Sequence, residues 1–84
     1  MIIKPIAEET TLTDTADTID GARVVRIYND AGSDVLMTRR DSANTVLGSC
    51  TLANGSIQFV EKFHNETLEA SANVKAVSVA YTIS

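Results

Sequence analysis

From residue 22 onwards, apolar and polar positions alternate in short segments cut by turn residues about every 8–12 positions, the pattern of a small all-β sandwich or barrel. Residues 22–29 (ARVVRIYN) are rich in β-branched side chains and predict a strand. Asn29-Asp30-Ala31-Gly32-Ser33 follows as a turn cluster, because Asn and Asp bond their own backbone and Gly accepts positive φ. Residues 34–40 predict the next strand and Asp41-Ser42-Ala43-Asn44 the next turn. Residues 45–53 and 56–62 flank Asn54-Gly55, the preferred pair for a type I′ turn, and predict a hairpin. Residues 73–84 end VSVAYTIS, with Val77, Val79, Tyr81 and Ile83 on one face of a half-buried strand and Ser78, Ala80, Thr82 and Ser84 on the other. Residues 63–71 show no period-two alternation and are too short for a stable helix, so they predict a crossover loop between two sheets, pinned by Leu68. The sum is an antiparallel sandwich or barrel of about six to seven strands, with no internal repeat.

The hairpin carries a register. A two-residue Asn54-Gly55 loop sets Leu52 opposite Ile57, Cys50 opposite Phe59 and Val46 opposite Phe63. That side is apolar and is expected to face the core, with Cys50 in it. Thr51, Ser49, Gln58 and Lys62 fall on the solvent side, with Val60 as the exception.

The first 21 residues differ in character. Residues 8–20 (EETTLTDTADTID) hold five acids, five Thr and no base, with Leu12, Ala16 and Ile19 as the apolar positions. Such a segment forms no core of its own and is either an edge strand or a partly mobile arm. Residues 2–6 can add a strand that Pro5 confines to an edge. The expected organisation is therefore an arm or edge strand over 1–21 and a β domain over 22–84. All four arginines fall on the next two strands. If Asn29 faces Asp34, Arg23 comes opposite Arg40, and facing like charges are unfavourable. Either the acidic segment, from the same chain or a neighbouring copy, neutralises them, or the arginines extend over a solvated face. Glu8, Glu9, Asp14, Asp17, Asp20, Arg23, Arg26, Arg39 and Arg40 are accordingly the candidate partner contacts.

Composition narrows the function classes. The 84 residues make one small domain, and with four aromatic residues and no Trp the core is thin, which favours assembly with partners. A net charge of −4 argues against a nucleic-acid partner. There is no apolar run for a membrane span and no leader of secretory type, so synthesis in a cytoplasm is expected. One Cys and one His make neither an internal disulfide nor a four-ligand zinc site. Asp14, Asp17 and Asp20 lack the Gly and terminal Glu of a calcium loop. Cys50 with His64 is the one nucleophile–base combination, but a core Cys50 behaves as an inert hydrophobe. Asn54-Gly55-Ser56 and Asn65-Glu66-Thr67 read as chance sequon matches. No catalytic residue, cofactor or metal is expected.

The run Val24-Val25-Arg26-Ile27-Tyr28-Asn29, then Leu47-Gly48-Ser49-Cys50-Thr51-Leu52, Phe59-Val60-Glu61-Lys62, Thr67-Leu68 and residues 74–81 (VKAVSVAY), resembles small structural proteins of tailed bacteriophages, as does the opening MIIKP. The resemblance implies a non-enzymatic virion component, foremost a capsid decoration (cement) protein that clasps the outer capsid lattice, or otherwise a small tail, fibre or glycan-binding module. It implies the major capsid protein or neighbouring copies as partners in a multi-copy assembly, and it transfers no active-site residues.

Overall fold

The computed structural model describes residues 2–82, the last two through their backbone. Eight strands are formed: β1 (Ile2–Pro5), β2 (Thr10–Leu12), β3 (Val24–Tyr28), β4 (Val35–Arg40), β5 (Val46–Leu52), β6 (Ile57–Glu61), β7 (Thr67–Ala70) and β8 (Val74–Thr82). All pairings are antiparallel, in a five-stranded sheet ordered β1-β8-β3-β6, with β2 also on β8, and a three-stranded sheet ordered β5-β4-β7. The class is the expected all-β sandwich, with more strands than the turn spacing indicated. No helix long and apolar enough to cross a membrane occurs among the described residues.

The core lies between the sheets. Val25 and Ile27 of β3 and Val74 and Ala76 of β8 face Val35 and Met37 of β4, Leu52 of β5, and Leu68 and Ala70 of β7. The inward side of β8 is therefore the even-numbered one, since Val25 pairs with Ser78 and Ile27 with Ala76. Val77 and Val79, expected to face the core, lie on the outer face and are still buried there. Val79 pairs with Pro5, and Val77 with Arg26. Glu9 reaches Arg26 at 3.8 Å across β8, so the ion pair lies above Val77. The side chains of Tyr81 and Ile83, assigned to the same face, fall outside the described residues.

The N-terminal segment laces one seam of the sandwich. β1 and β2 lie along the edge of β8 away from β3, and the amide of Ile6 continues the ladder to the Ser78 carbonyl. Immediately afterwards the chain crosses to the other sheet. The Ala70 amide donates to the Thr13 carbonyl, and Asp17 and Leu68 exchange both backbone bonds at 2.9 Å. Of the two sequence readings, an edge strand is what forms, and Leu12 and Ile19 are fully buried members of the common core. Residues Ile19, Asp20 and Gly21 all have positive φ (52°, 58° and 67°). For β-branched Ile19 this conformation costs on the order of 1–2 kcal/mol, offset by the burial of its side chain.

The expected hairpin over 45–62 does not form. β5 pairs with β4 and β6 with β3, so the two strands lie in different sheets. The Ser56 amide closes a turn onto the Ala53 carbonyl at 3.0 Å, with positive φ at Gly55 (77°) and none at Asn54. This is the type II pattern, whose twist splays the flanking strands, whereas type I′ needs positive φ at both positions. The true hairpin is β4–β5, closed by Asp41, whose Oδ1 accepts the amides of Ala43 and Thr45. The crossover loop over 63–71 is corrected as well: it contains β7, with Leu68 and Ala70 pointing inward and Leu68 fully buried.

Candidate functional site

Two regions depart from an ordinary sandwich surface. The first is a charged mouth at one end. Inward positions on β3 and β6 run from the Val25–Val60 pair one step further to Arg23 and Lys62, where the Lys62 amide bonds the Arg23 carbonyl at 2.9 Å. On the opposite sheet the inward row Val35, Met37 continues to Arg39. Three cations thus converge where the apolar core ends, around a 270 Å³ pocket also lined by Glu61, Phe63 and Glu66.

Glu66 holds this end together. Its Oε1 accepts the Phe63 amide and an Arg39 guanidinium N–H, each at 2.8 Å. Lys62 is buried, and its ammonium donates to the carbonyls of Ala22 (2.7 Å) and Phe63 (3.4 Å). Burial pulls the Lys62 pKa below the usual lysine value, against the opposing pull of Glu66 and Asp17. The hydrogen bond from Phe63 holds the Glu66 carboxyl below the usual value of 4.5, against desolvation, with Arg39 and Lys62 acting in the same direction as that bond. A carboxylate whose folded pKa is depressed contributes stability above its unfolded pKa, and loses it as pH falls through the folded one. Glu66→Gln is therefore expected to lower the melting temperature at neutral pH, with the gap to wild type closing below pH 4.5. A gap of constant size through that titration would contradict the assignment.

The second region is an open seam. The side opposite the laced one is bounded by β5 and β6, the end strands of their sheets, which have no further strand beside them among the described residues. Cys50 pairs with Met37 and shares its inward side, yet it is exposed, at a seam that no further strand covers among the described residues. The expected core position of Cys50 is thus overturned. The phase of β6 is also inverted: Val60 packs on the core, while Ile57 (47% exposed) and Phe59 (39%) lie outside. They form one surface with Tyr28, since Tyr28 pairs with Ile57 and Arg26 with Phe59.

The candidate contacts are dispersed. Arg23 and Arg40 do not face each other, because β3 and β4 belong to different sheets. Arg39 pairs with Glu66 and Arg40 with Glu69, and of the acids in 8–20 it is Glu9 that reaches an arginine, Arg26. Asp17 uses its Oδ1 to accept the Ile19 amide. Glu8, Glu9, Asp17 and Asp20 line a second cavity of 430 Å³. Asp14 is exposed in the bend after β2, and Arg23 makes no ion pair among the described residues. No group of three or more His, Cys, Asp or Glu is placed to hold a metal among them. Sequence reasoning missed Lys62, Glu66 and Glu69; the apolar Val60 among the outward positions of β6 was the signal that the phase should be inverted.

Comparison with known proteins finds no matching family model, curated protein or solved structure.

Proposed function

We propose that this chain is a non-enzymatic structural protein of a phage particle, a capsid decoration protein that binds the outer capsid surface and stabilises it. The observation that carries the proposal is the outer face of the five-stranded sheet. Tyr28, Ile57 and Phe59 stand side by side on it, each more than a third exposed, with Arg26 on the same strand as Tyr28 and Lys75 beside Tyr28 on β8. Aromatic and aliphatic anchors beside arginine are what protein interfaces select at their centres. The resemblance to small phage structural proteins directs this face towards the major capsid protein. Binding to a lattice at high copy number would also stabilise a small domain by mass action. The purified protein is expected to bind expanded capsids and to appear in mass spectra of intact particles. Ile57→Glu, at an exposed position, is expected to keep the fold and weaken capsid binding by about tenfold or more. Absence of the protein from intact particles would overturn the proposal.

The same exposed Tyr28 and Phe59, with Phe63 at the mouth (67% exposed), favour one second reading, a glycan-binding module of a tail or fibre that stacks sugar rings on aromatic faces. Retention on a glycan array would support it, and an empty array would remove it.

A further inference from the structure

The open seam has an unusual composition. Residues 42–60 contain no Asp, Glu, Lys, Arg or His, in a chain that is 21% charged. Sixteen of these 19 residues are exposed. The stretch covers the whole of β5, the turn at Ala53–Ser56 and β6 up to Val60, so the β5 edge is uncharged throughout and the β6 edge carries a charge only at its last residue, Glu61. β5 is the longer of the two and is exposed on both faces from Val46 to Thr51. Soluble proteins guard such edges with charge, proline or bulges. Here one bulge is present: the register with β4 shifts from Arg39–Gly48 to Arg40–Val46 and leaves Leu47 unmatched. Gly48–Leu52 remains regular, with its outer row of backbone groups open to a further strand.

We infer that two copies of this chain pair edge to edge through β5, joining two three-stranded sheets into one of six strands. A two-fold axis through this edge makes the strands antiparallel and brings the same residues together from both copies. Charge selects a second copy as the occupant. A molecule of net charge −4 repels its own kind over most of its surface, and its five acids in 8–20 lie on the laced seam, away from β5. The uncharged seam is the place where two copies meet without facing like charges. This pairing does not depend on the capsid reading, since it is a property of the isolated protein.

Sedimentation equilibrium of the purified chain tests it. The wild type is expected to show a concentration-dependent species of twice the monomer mass. Ser49→Lys with Thr51→Lys, both at exposed positions, sets cations opposite one another and is expected to lower the association constant by about tenfold or more, with an unchanged circular dichroism spectrum. Ile57→Glu, which alters the outer face of the other sheet, is expected to leave the dimer intact. Hydrogen exchange supplies an independent readout: amide protection in 48–52 should rise with protein concentration, while protection in β6 should not. A wild-type protein that stays monomeric at every concentration, a dimer unaffected by the double lysine variant, or protection that rises in β6 instead would each overturn the inference.

Discussion

Replacing Asn29 with alanine is expected to cost on the order of 3 kcal/mol, the sum of several buried polar groups left unmatched at about 1 kcal/mol or more each. The residue is fully buried at the end of β3. Its Nδ2 donates to the carbonyls of Ser33 and Leu52, both at 2.9 Å, and its Oδ1 accepts the Ala31 amide at 3.0 Å. Its backbone also bonds the Ser56 carbonyl and the Gly55 amide. One side chain therefore ties the β3–β4 crossing to the β5–β6 crossing, the two places where the chain passes between sheets on the open side. Total stability for 84 residues is expected to be about 4–13 kcal/mol, so the loss is a large share of it. Thermal melting should drop by roughly 12–24 °C for a domain of this size. Asn29→Asp should be at least as harmful, because a carboxylate would then face the two carbonyls that the amide now satisfies. Ser33→Ala should be silent, since the bond from Asn29 uses the Ser33 backbone oxygen. Urea unfolding gives the comparison directly, and an Asn29→Ala loss well under 1 kcal/mol would show that these bonds add nothing net.

Asn29 also shows how far the sequence could be read. Its role in the turn was legible, because an Asn followed by Asp, Ala and Gly bonds the backbone two residues on, as it does to Ala31. Its bond to Leu52, 23 residues away, was not, because no local pattern encodes which crossing packs beside which. The strands themselves were legible from alternation, and their partners were not. Asn54-Gly55 suits both type I′ and type II turns, and tertiary context chose the one that sends β5 and β6 to different sheets. From that choice followed the exposure of Cys50, the outward Ile57 and Phe59, and the inward Lys62. β7 escaped notice because one of its two inward positions is a small Ala70 and its partner strand lies some 30 residues earlier in the chain. The charge segregation between 8–20 and 23–40 was plain in the sequence. The pairing was not, since three of the four arginines find glutamates and two of those three partners, Glu66 and Glu69, lie outside the acidic segment.

Leu12→Ala is expected to be as damaging as the Asn29 change, at about 3 kcal/mol, within the usual range for truncating a buried leucine. Composition makes residues 8–20 look detachable, with five acids, five threonines and few apolar positions. The structure spends those few positions in the core: Leu12 has no exposed surface, pairs with Val74 at the end of β2, and stands where the chain leaves one sheet for the other. Ile19, at the far end of the same crossing, is held in the left-handed region to reach the core. Removing the Leu12 side chain opens a cavity in the common core, next to its partner Val74, where the lace passes between the sheets. Thr11→Ala, on the exposed side of the same short strand, should change stability by well under 1 kcal/mol and serves as the control. The two variants separate the alternatives cleanly. A segment that orders only against a partner would leave the isolated Leu12→Ala protein as stable as wild type. A segment that closes the sandwich makes that protein melt far lower, with the Thr11→Ala protein unaffected, and the burial of Leu12 and Ile19 requires the second result.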